Sequence, residues 1–393
     1  MTPLKSLATL IVEQGEIGDF PYVALEHVAG GTGALEPGAE LPIRTGGSPG
    51  ASIARPGDVL FGKLRPYLAK TWLVSSTVYA STELMTLRPT SITEPKYLAY
   101  LVSSLPVVEW AMCTADGTKM PRTSWGKLRE YNVDVVPPTD QQRAIADYLD
   151  AETARIDALI TKKQRMIELL EERFDVATAT FFLAIAAPHR KLRLVANVAL
   201  GRQRTPSSSV GPNMVPYLRA ANVKDGALDL SDVKSMNFTP EEQRVFGLLP
   251  GDVLVTEGAG SRAAVGASAP YNGELEGVVC CQNTLIRLRA KPDVDPGYLA
   301  WWIRSAYRNG ILAGLAGGAN IFHIGAGQMQ MLALPIPKLA EQGKIVALLD
   351  REGQRFSSSR SKLTRQIELL REHRQALITA AVTGELDIPG VAA

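Results

Sequence analysis

Apolar residues recur every seven positions along two long stretches of the chain. In the later stretch, Leu349, Phe356, Leu363, Leu370 and Leu377 fall on one row. In the earlier one, the row is Leu149, Ile156, Lys163, Leu170 and Ala177, supplemented by Ile160, Ile167, Phe174 and Phe181. A seven-residue period keeps one helix face turned towards a neighbour, as in a coiled coil. Neither stretch has an internal proline, and Gly384 stands where a C-terminal cap belongs. The pattern predicts helices over 140–184 and 340–383 that pack on each other, each a rod of roughly 60 Å. Two separate amphipathic helices, each docked on its own domain, also fit the rows.

The rest of the chain reads differently. Residues 1–137 and 190–336 are rich in Gly, Pro and Ser, with short β-like runs at 58–61, 82–87, 253–256 and 284–288. Short helices are predicted at 95–104 and 296–305. These are mixed α/β domains with long loops, and long loops on a scaffold are where recognition resides.

The chain also repeats itself, with a period near 200 residues. PTDQQRAIADYLD at 138–150 matches PKLAEQGKIVALLD at 337–350: Gln142 meets Gln342, Ile145 meets Ile345, Leu149 meets Leu349 and Asp150 meets Asp350. The match runs on through Glu152/Glu352, Arg155/Arg355, Lys162/Lys362 and Arg165/Arg365 to a shared Ile-Glu-Leu-Leu. Fainter matches precede it, at Pro56–Leu60 with Pro250–Leu254 and at Tyr97–Ala99 with Tyr298–Ala300. The order is therefore variable domain (1–137), constant helix (138–189), variable domain (190–336), constant helix (337–393).

Composition narrows the class. Of 393 residues, 46% are apolar and 21% charged, so the chain can bury real cores. Three cysteines lack zinc spacing and are too few for a disulfide scaffold, and four histidines are scattered. No apolar run reaches the ~20 residues of a membrane span, and the N-terminus turns acidic before a signal-peptide core forms. A soluble cytoplasmic protein is expected.

The net charge is +2, with no basic tail. Residues 190–336 carry 15 basic and 11 acidic groups, whereas 138–189 carry 6 and 9. A strong nonspecific nucleic-acid binder shows more positive charge, so binding of this kind would use local patches or a larger basic assembly. Such patches exist. Lys63, Arg65 and Lys70 interleave with Tyr67; Lys119 and Arg122 flank a second loop; Arg202 and Arg204 precede a Pro/Ser loop; Arg219 and Asn222 lie close together; Arg262 follows a Gly-rich turn. Arg suits guanine edges and Asn suits adenine edges. An ordinary solvated surface would carry the same residues.

Catalytic motifs fail one by one. There is no phosphate-binding GxxxxGK[ST] loop. Gly258-Ala259-Gly260 lacks the later glycine of GxGxxG, and its 256–262 loop reads as a turn after a strand. Gly46-Gly47-Ser48-Pro49-Gly50 fits GxSxG without the strand and helix a nucleophile elbow needs. Asp58 with Glu94 and Lys96 imitates a metal-dependent nuclease, but the Asp sits in a repeated Pro-Gly-Asp-Val-Leu that has no second Glu-x-Lys. It reads as a strand start. Cys280 and Cys281 read as packing on a buried strand.

Taken in order and spacing, these residues resemble the DNA specificity subunit of type I restriction–modification systems. The resemblance covers essentially the whole length. It is carried by the junctions Pro137-Pro138 to Gln142 and Ile145, and Pro335-Ile336-Pro337 to Gln342 and Ile345. Ala381-Val382-Thr383-Gly384-Glu385-Leu386 and the Tyr217-Leu218-Arg219, Asn222-Val223, Gly226 pattern add to it. The chain departs from the family at its start: the opening strand and loop visible at 191–206 have no evident counterpart before Phe20.

The resemblance implies a mixed α/β fold of two tandem target-recognition domains, separated and joined by two long antiparallel coiled-coil helices with pseudo-two-fold symmetry. It implies a non-catalytic chain that reads a bipartite, asymmetric target in double-stranded DNA. Its partners would be two methyltransferase subunits, which bind S-adenosylmethionine, with an ATP-dependent restriction or translocase subunit as an optional third. No cofactor is expected in this chain. Lys162, Arg165, Lys362 and Arg365 are candidate docking residues, although each also suits a solvated helix face. A fused nuclease–methyltransferase or an orphan modification complex would use the same chain. An enzyme acting on DNA directly and a coiled-coil scaffold that binds no DNA are the alternatives of other classes.

Overall fold

The computed structural model describes residues 1–12, 19–45, 51–389 and 391. The GxSxG candidate at 46–50 lies outside the described residues. Two long helices form where the heptad rows place them, Thr139–Leu183 and Leu339–Thr383, each of 45 residues. Gly384 closes the second with a φ of +79°, the left-handed conformation glycine adopts without steric cost. The chain divides into two compact units, 1–164 with 363–393, and 165–362. Each unit therefore takes a half of both long helices.

In the first unit an antiparallel four-stranded sheet runs in the order Ala8–Ile11, Leu84–Pro89, Val59–Gly62, Thr71–Leu73. A second sheet runs Ile43–Thr45, Asp19–Val23, Val78–Ala80, Ser52–Ala54, with its middle pair parallel. Successive side chains on a strand face opposite ways. Val59 and Phe61 accordingly enter a core with Leu4, Tyr97, Leu98, Ile145, Leu149 and Ile378, whereas Leu60 enters another with Val23, Val28 and Val78. The Pro95–Ser103 helix, capped by the Glu94 side chain, covers the first core. The strand Ala8–Ile11 is the opening strand that is hard to find in the sequence before Phe20. With only four residues and Thr9 exposed, it carries too little alternation to be seen in sequence.

The second unit repeats the plan. Its four-stranded sheet runs Ala196–Leu200, Leu285–Ala290, Asp252–Thr256, Ser268–Tyr271. A three-stranded sheet joins Lys234–Asn237, Met214–Leu218 and Cys280–Cys281. Val253 and Val255 enter one core with Phe182, Tyr298 and Leu349, and Leu254 enters another with Leu218 and Cys281. The helix Pro296–Arg308 is capped by Asp295.

The helices run antiparallel within each unit. In the first, Lys163 Nζ donates to Gln366 at 2.7 Å and Arg374 Nε to Asp157 at 3.0 Å, so rising numbers on one helix meet falling numbers on the other. In the second, Phe174 stacks on Phe356 with centroids 4.6 Å apart, and Arg360 pairs with Glu171 at 3.0 Å.

The repeated Pro-Gly-Asp has a structural cause. Gly57 and Gly251 take φ of +91° and +93°, turning the chain into a strand. Asp58 then accepts the Arg55 N–H and pairs with Arg88, and Asp252 accepts the Leu249 N–H and pairs with Arg289. Both carboxylates are buried. Asp58 is thus committed to the strand start. The 256–262 segment is more than a turn: Gly258–Ala259 pairs with Phe322–His323. A Cβ at Gly258 would lie 2.7 Å from His323 Nδ1, so only glycine permits that approach.

Candidate nucleic-acid interface

Exposed cations collect on the loops of each unit. In the first, Leu64 to Ala69 form a tight turn around a single 3-10 turn, Pro66–Leu68. Arg65 and Ala69 hold φ of +50° and +46°, the only left-handed non-glycine residues among those described. Such conformations persist where surroundings over-determine them, and they cluster at functional sites. Arg65 and Tyr67 project into solvent, Tyr67 with 51% of its surface exposed. Beside them, Asp116 and Arg122 pair across a hairpin that carries exposed Lys119 at its tip.

The other predicted cations of this patch are anchored inward. Lys63 donates to the Thr82 carbonyl at 2.6 Å, and burial together with the nearby Arg122 charge pulls its ammonium below the usual lysine range. Lys70 donates to the Leu25 carbonyl at 2.9 Å. Arg122 pairs with Glu83 at 3.0 Å while staying half-exposed. Arg65, Tyr67 and Lys119 are therefore the open members, with Arg122 at their edge.

The second unit sorts its candidates more sharply. Arg204 is exposed beside the 3-10 turn Pro206–Ser209, and Arg262 is exposed with its guanidinium 5.3 Å from the Phe322 ring. Arg202 is engaged internally: it pairs with Glu242 at 2.7 Å, donates to the Asn237 carbonyl at 2.6 Å and lies over Phe238. Arg219 pairs with Asp232. Asn222 is 2% exposed; its Oδ1 accepts the Arg219 N–H and its Nδ2 donates to the carbonyls of Asp229 and Asp232. That amide shapes the turn from inside, so its reading as an adenine contact does not match its place. His27 takes the same position in the first unit, accepting the Ala24 N–H at 3.1 Å.

On the helices, Lys162, Arg165, Lys362 and Arg365 are all exposed. Arg165 pairs with Glu168 at 2.8 Å and Arg365 with Glu368 at 3.0 Å, the same i,i+3 bridge in both repeats. Exposed pairs of this kind contribute little to stability. Exposed Leu159, Met166, Leu169 and Val176 stand among them on the first helix, a feature the heptad rows did not reveal.

Some contributors were not legible at all. Arg374, Arg304 and Arg308 are engaged with loop residues far away in sequence, and no local motif marks them.

Among the described residues, no group of three or more His, Cys, Asp and Glu could hold a metal ion. Burial pushes the Cys280 thiol up to about 12 and Cys281 to about 11, which keeps both protonated and unreactive. No helix among the described residues is long and apolar enough to cross a membrane.

The geometry can be set beside known proteins. No family model matches the chain. Over 177 residues it is 30% identical to the type I restriction enzyme StySPI specificity subunit of Salmonella potsdam, a stretch that is 44% of this chain and 36% of that one. Over 178 residues it is 31% identical to the EcoKI specificity subunit of Escherichia coli (strain K12), again 44% and 36%. The match thus spans about a third of the length of these curated relatives. In fold, the likeness extends over nearly the whole chain. A chain solved in work on complex assembly and conformational transition of the type I R-M system superposes with a TM-score of 0.78 at 21% identity, over 98% of this chain and 97% of that one. The HsdS subunit from Thermoanaerobacter tengcongensis gives 0.55 at 21% identity, over 98% and 96%. Over part of its length this chain is similar in sequence to type I restriction enzyme specificity subunits, and over nearly all of it the fold is that of the two solved chains.

Proposed function

We propose that this chain is the sequence-reading subunit of a DNA modification complex, and that it directs methyltransferase subunits, with or without a restriction subunit, to a two-part target. Residues 1–137 and 190–336 are its two recognition domains, and the long helices at 138–189 and 337–393 carry them and dock the partners. The observation that carries this reading is the pairing of identical junctions with unlike loops. Gln142 and Gln342 make the same three hydrogen bonds at the two junctions, while the loops above them present different residues, Arg65, Tyr67 and Lys119 in one unit, Arg204 and Arg262 in the other. Constant joints with divergent loops suit a reader of two different half-sites.

The division of labour follows. Arginine and tyrosine on the loops meet base edges and phosphates, and the partner flips the target adenine and transfers the methyl group from S-adenosylmethionine. The chain itself performs no chemistry and holds no cofactor. It acts in the cytoplasm, where the chromosome and its partners are. Exposed Lys162, Arg165, Lys362 and Arg365 belong to the docking faces of the helices.

The test is adenine methylation mapping in cells expressing this chain with and without a modification subunit of this class. A two-part motif with a fixed gap, present only when both are expressed, is the expected result. Methylation by this chain alone, or none from an assembled complex, would overturn the reading.

A further inference from the structure

We propose that Arg374 is a positioning residue for DNA readout: from the second long helix it fixes the turn at 29–34, and through that turn the strained 65–69 loop that presents Arg65 and Tyr67. The inference rests on the reading that this loop meets DNA.

Arg374 is 6% exposed. Its Nη1 donates to the Gly31 carbonyl and its Nη2 to the Thr32 carbonyl, both at 2.7 Å, and its Nε faces Asp157 at 3.0 Å. A guanidinium offers its N–H groups in a rigid plane, so acceptors on three sides fix both its position and theirs. The held turn is itself tight: the Ala29 N–H donates to Ala34, and Gly31 and Gly33 have φ of +69° and +77°. It also touches the recognition loop directly. The Gly31 N–H donates to the Ala69 carbonyl at 3.2 Å, and a Cβ on Gly30 would lie 2.9 Å from the Leu68 carbonyl oxygen. On its other side the loop is held by the Arg65 N–H, which donates to Pro121 at 2.8 Å. Two left-handed residues need such restraint, and the restraint from the 29–34 turn leads back to Arg374.

The second unit fastens the corresponding turn by different means. Asp225, in the turn at 224–227, accepts Arg304 at 2.9 Å and lies 3.6 Å from Arg308, which in turn pairs with Asp175 of the first long helix at 2.8 Å. The Gly226 N–H donates to the Ser268 carbonyl at 2.8 Å, and a Cβ there would strike Arg304 at 2.8 Å. The helix position 200 residues before Arg374 is Phe174, which stacks on Phe356 and offers no guanidinium. The repeat therefore does not account for the two fastenings. Each unit secures its turn with its own residues.

The experiment uses the full chain assembled with modification subunits, and maps methylation over a library of randomised sites. Arg374→Met is expected to lower discrimination at bases of one half-site by about tenfold, leaving the other half unchanged. Asp225→Asn is expected to relax the opposite half. Arg374→Lys keeps the charge facing Asp157 but cannot span three acceptors, so it carries the same expectation should the Met variant not assemble. Unchanged base preferences in these variants, or a uniform fall in methylation with preferences intact, would overturn the positioning role. A wild-type complex with no two-part motif would instead overturn the DNA reading beneath it, and the inference with it.

Discussion

Gln142 and Gln342, 200 positions apart, are equivalent buried joints. Each Oε1 accepts the N–H of the residue that caps the following domain helix, Glu94 or Asp295, at 2.8 Å. Each Nε2 donates to two carbonyls, of Ile92 and Pro137 in one unit and of Asp293 and Pro337 in the other. A single amide thus ties the start of a long helix to the domain beside it, and no other residue type supplies one acceptor and two donors at that reach.

Replacing Gln142 by Leu strands one N–H and two carbonyls in a buried place, and is expected to cost the first unit about 3 kcal/mol. Gln142→Glu should do no better, because a carboxylate cannot donate to the two carbonyls. Denaturant unfolding of the two variants and the parent checks this. Equal midpoints would refute it.

On the proposed recognition face, Arg65→Ala is expected to weaken duplex binding by about 1–3 kcal/mol and to relax base preference at one position. Lys119→Ala should weaken all sequences alike and reduce the slope of log K against log salt by about 1. Titrations of labelled duplexes with the assembled complex, across about 50 to 200 mM salt, separate the two outcomes. Identical behaviour of both variants would dissolve the distinction drawn between them.

Two glycines within the second long helix predict opposite signs. Gly343 has nothing within 4 Å of its would-be Cβ, so Gly343→Ala should stabilise by up to about 1 kcal/mol through helix propensity. Gly353 lies under Trp301, whose ring would sit 2.8 Å from an added Cβ. Gly353→Ala must displace the ring that donates to Asp350 at 2.7 Å, and is expected to destabilise by about 1–3 kcal/mol despite the better propensity. Thermal unfolding of both variants decides.

The cysteines should separate by accessibility. Under native conditions iodoacetamide is expected to modify exposed Cys113 and to spare Cys280 and Cys281, whose thiols are buried and pushed well above neutral pH. Peptide mass spectrometry before and after denaturation reads this directly, and native labelling of either buried thiol would contradict the packing.

The long helices, the repeated junctions and the Pro-Gly-Asp strand starts were legible because each rests on local pattern: heptads, glutamine at a fixed offset, a left-handed glycine. What depended on distant partners was not. Asn222 looked like a base reader because its amide chemistry is right, yet three backbone groups claim it. Arg202 looked free because Glu242 and Phe238 lie some 40 positions away. Arg374 sat unnoticed on a heptad helix, since its acceptors at Gly31 and Thr32 are more than 340 residues distant. Sequence spacing reports chemistry; it does not report who else has already claimed the group.

The first unit draws Ile378, Ala381 and Val382 into the same core as Leu4, Tyr97 and Leu98, whereas the second is one unbroken stretch of chain. During synthesis the second unit therefore has all its parts before the first does, although it is made later. The first unit must wait with part of its core uncovered until residues 363–383 emerge. A stop codon before residue 363 would therefore deprive a unit whose larger part lies more than 190 residues upstream.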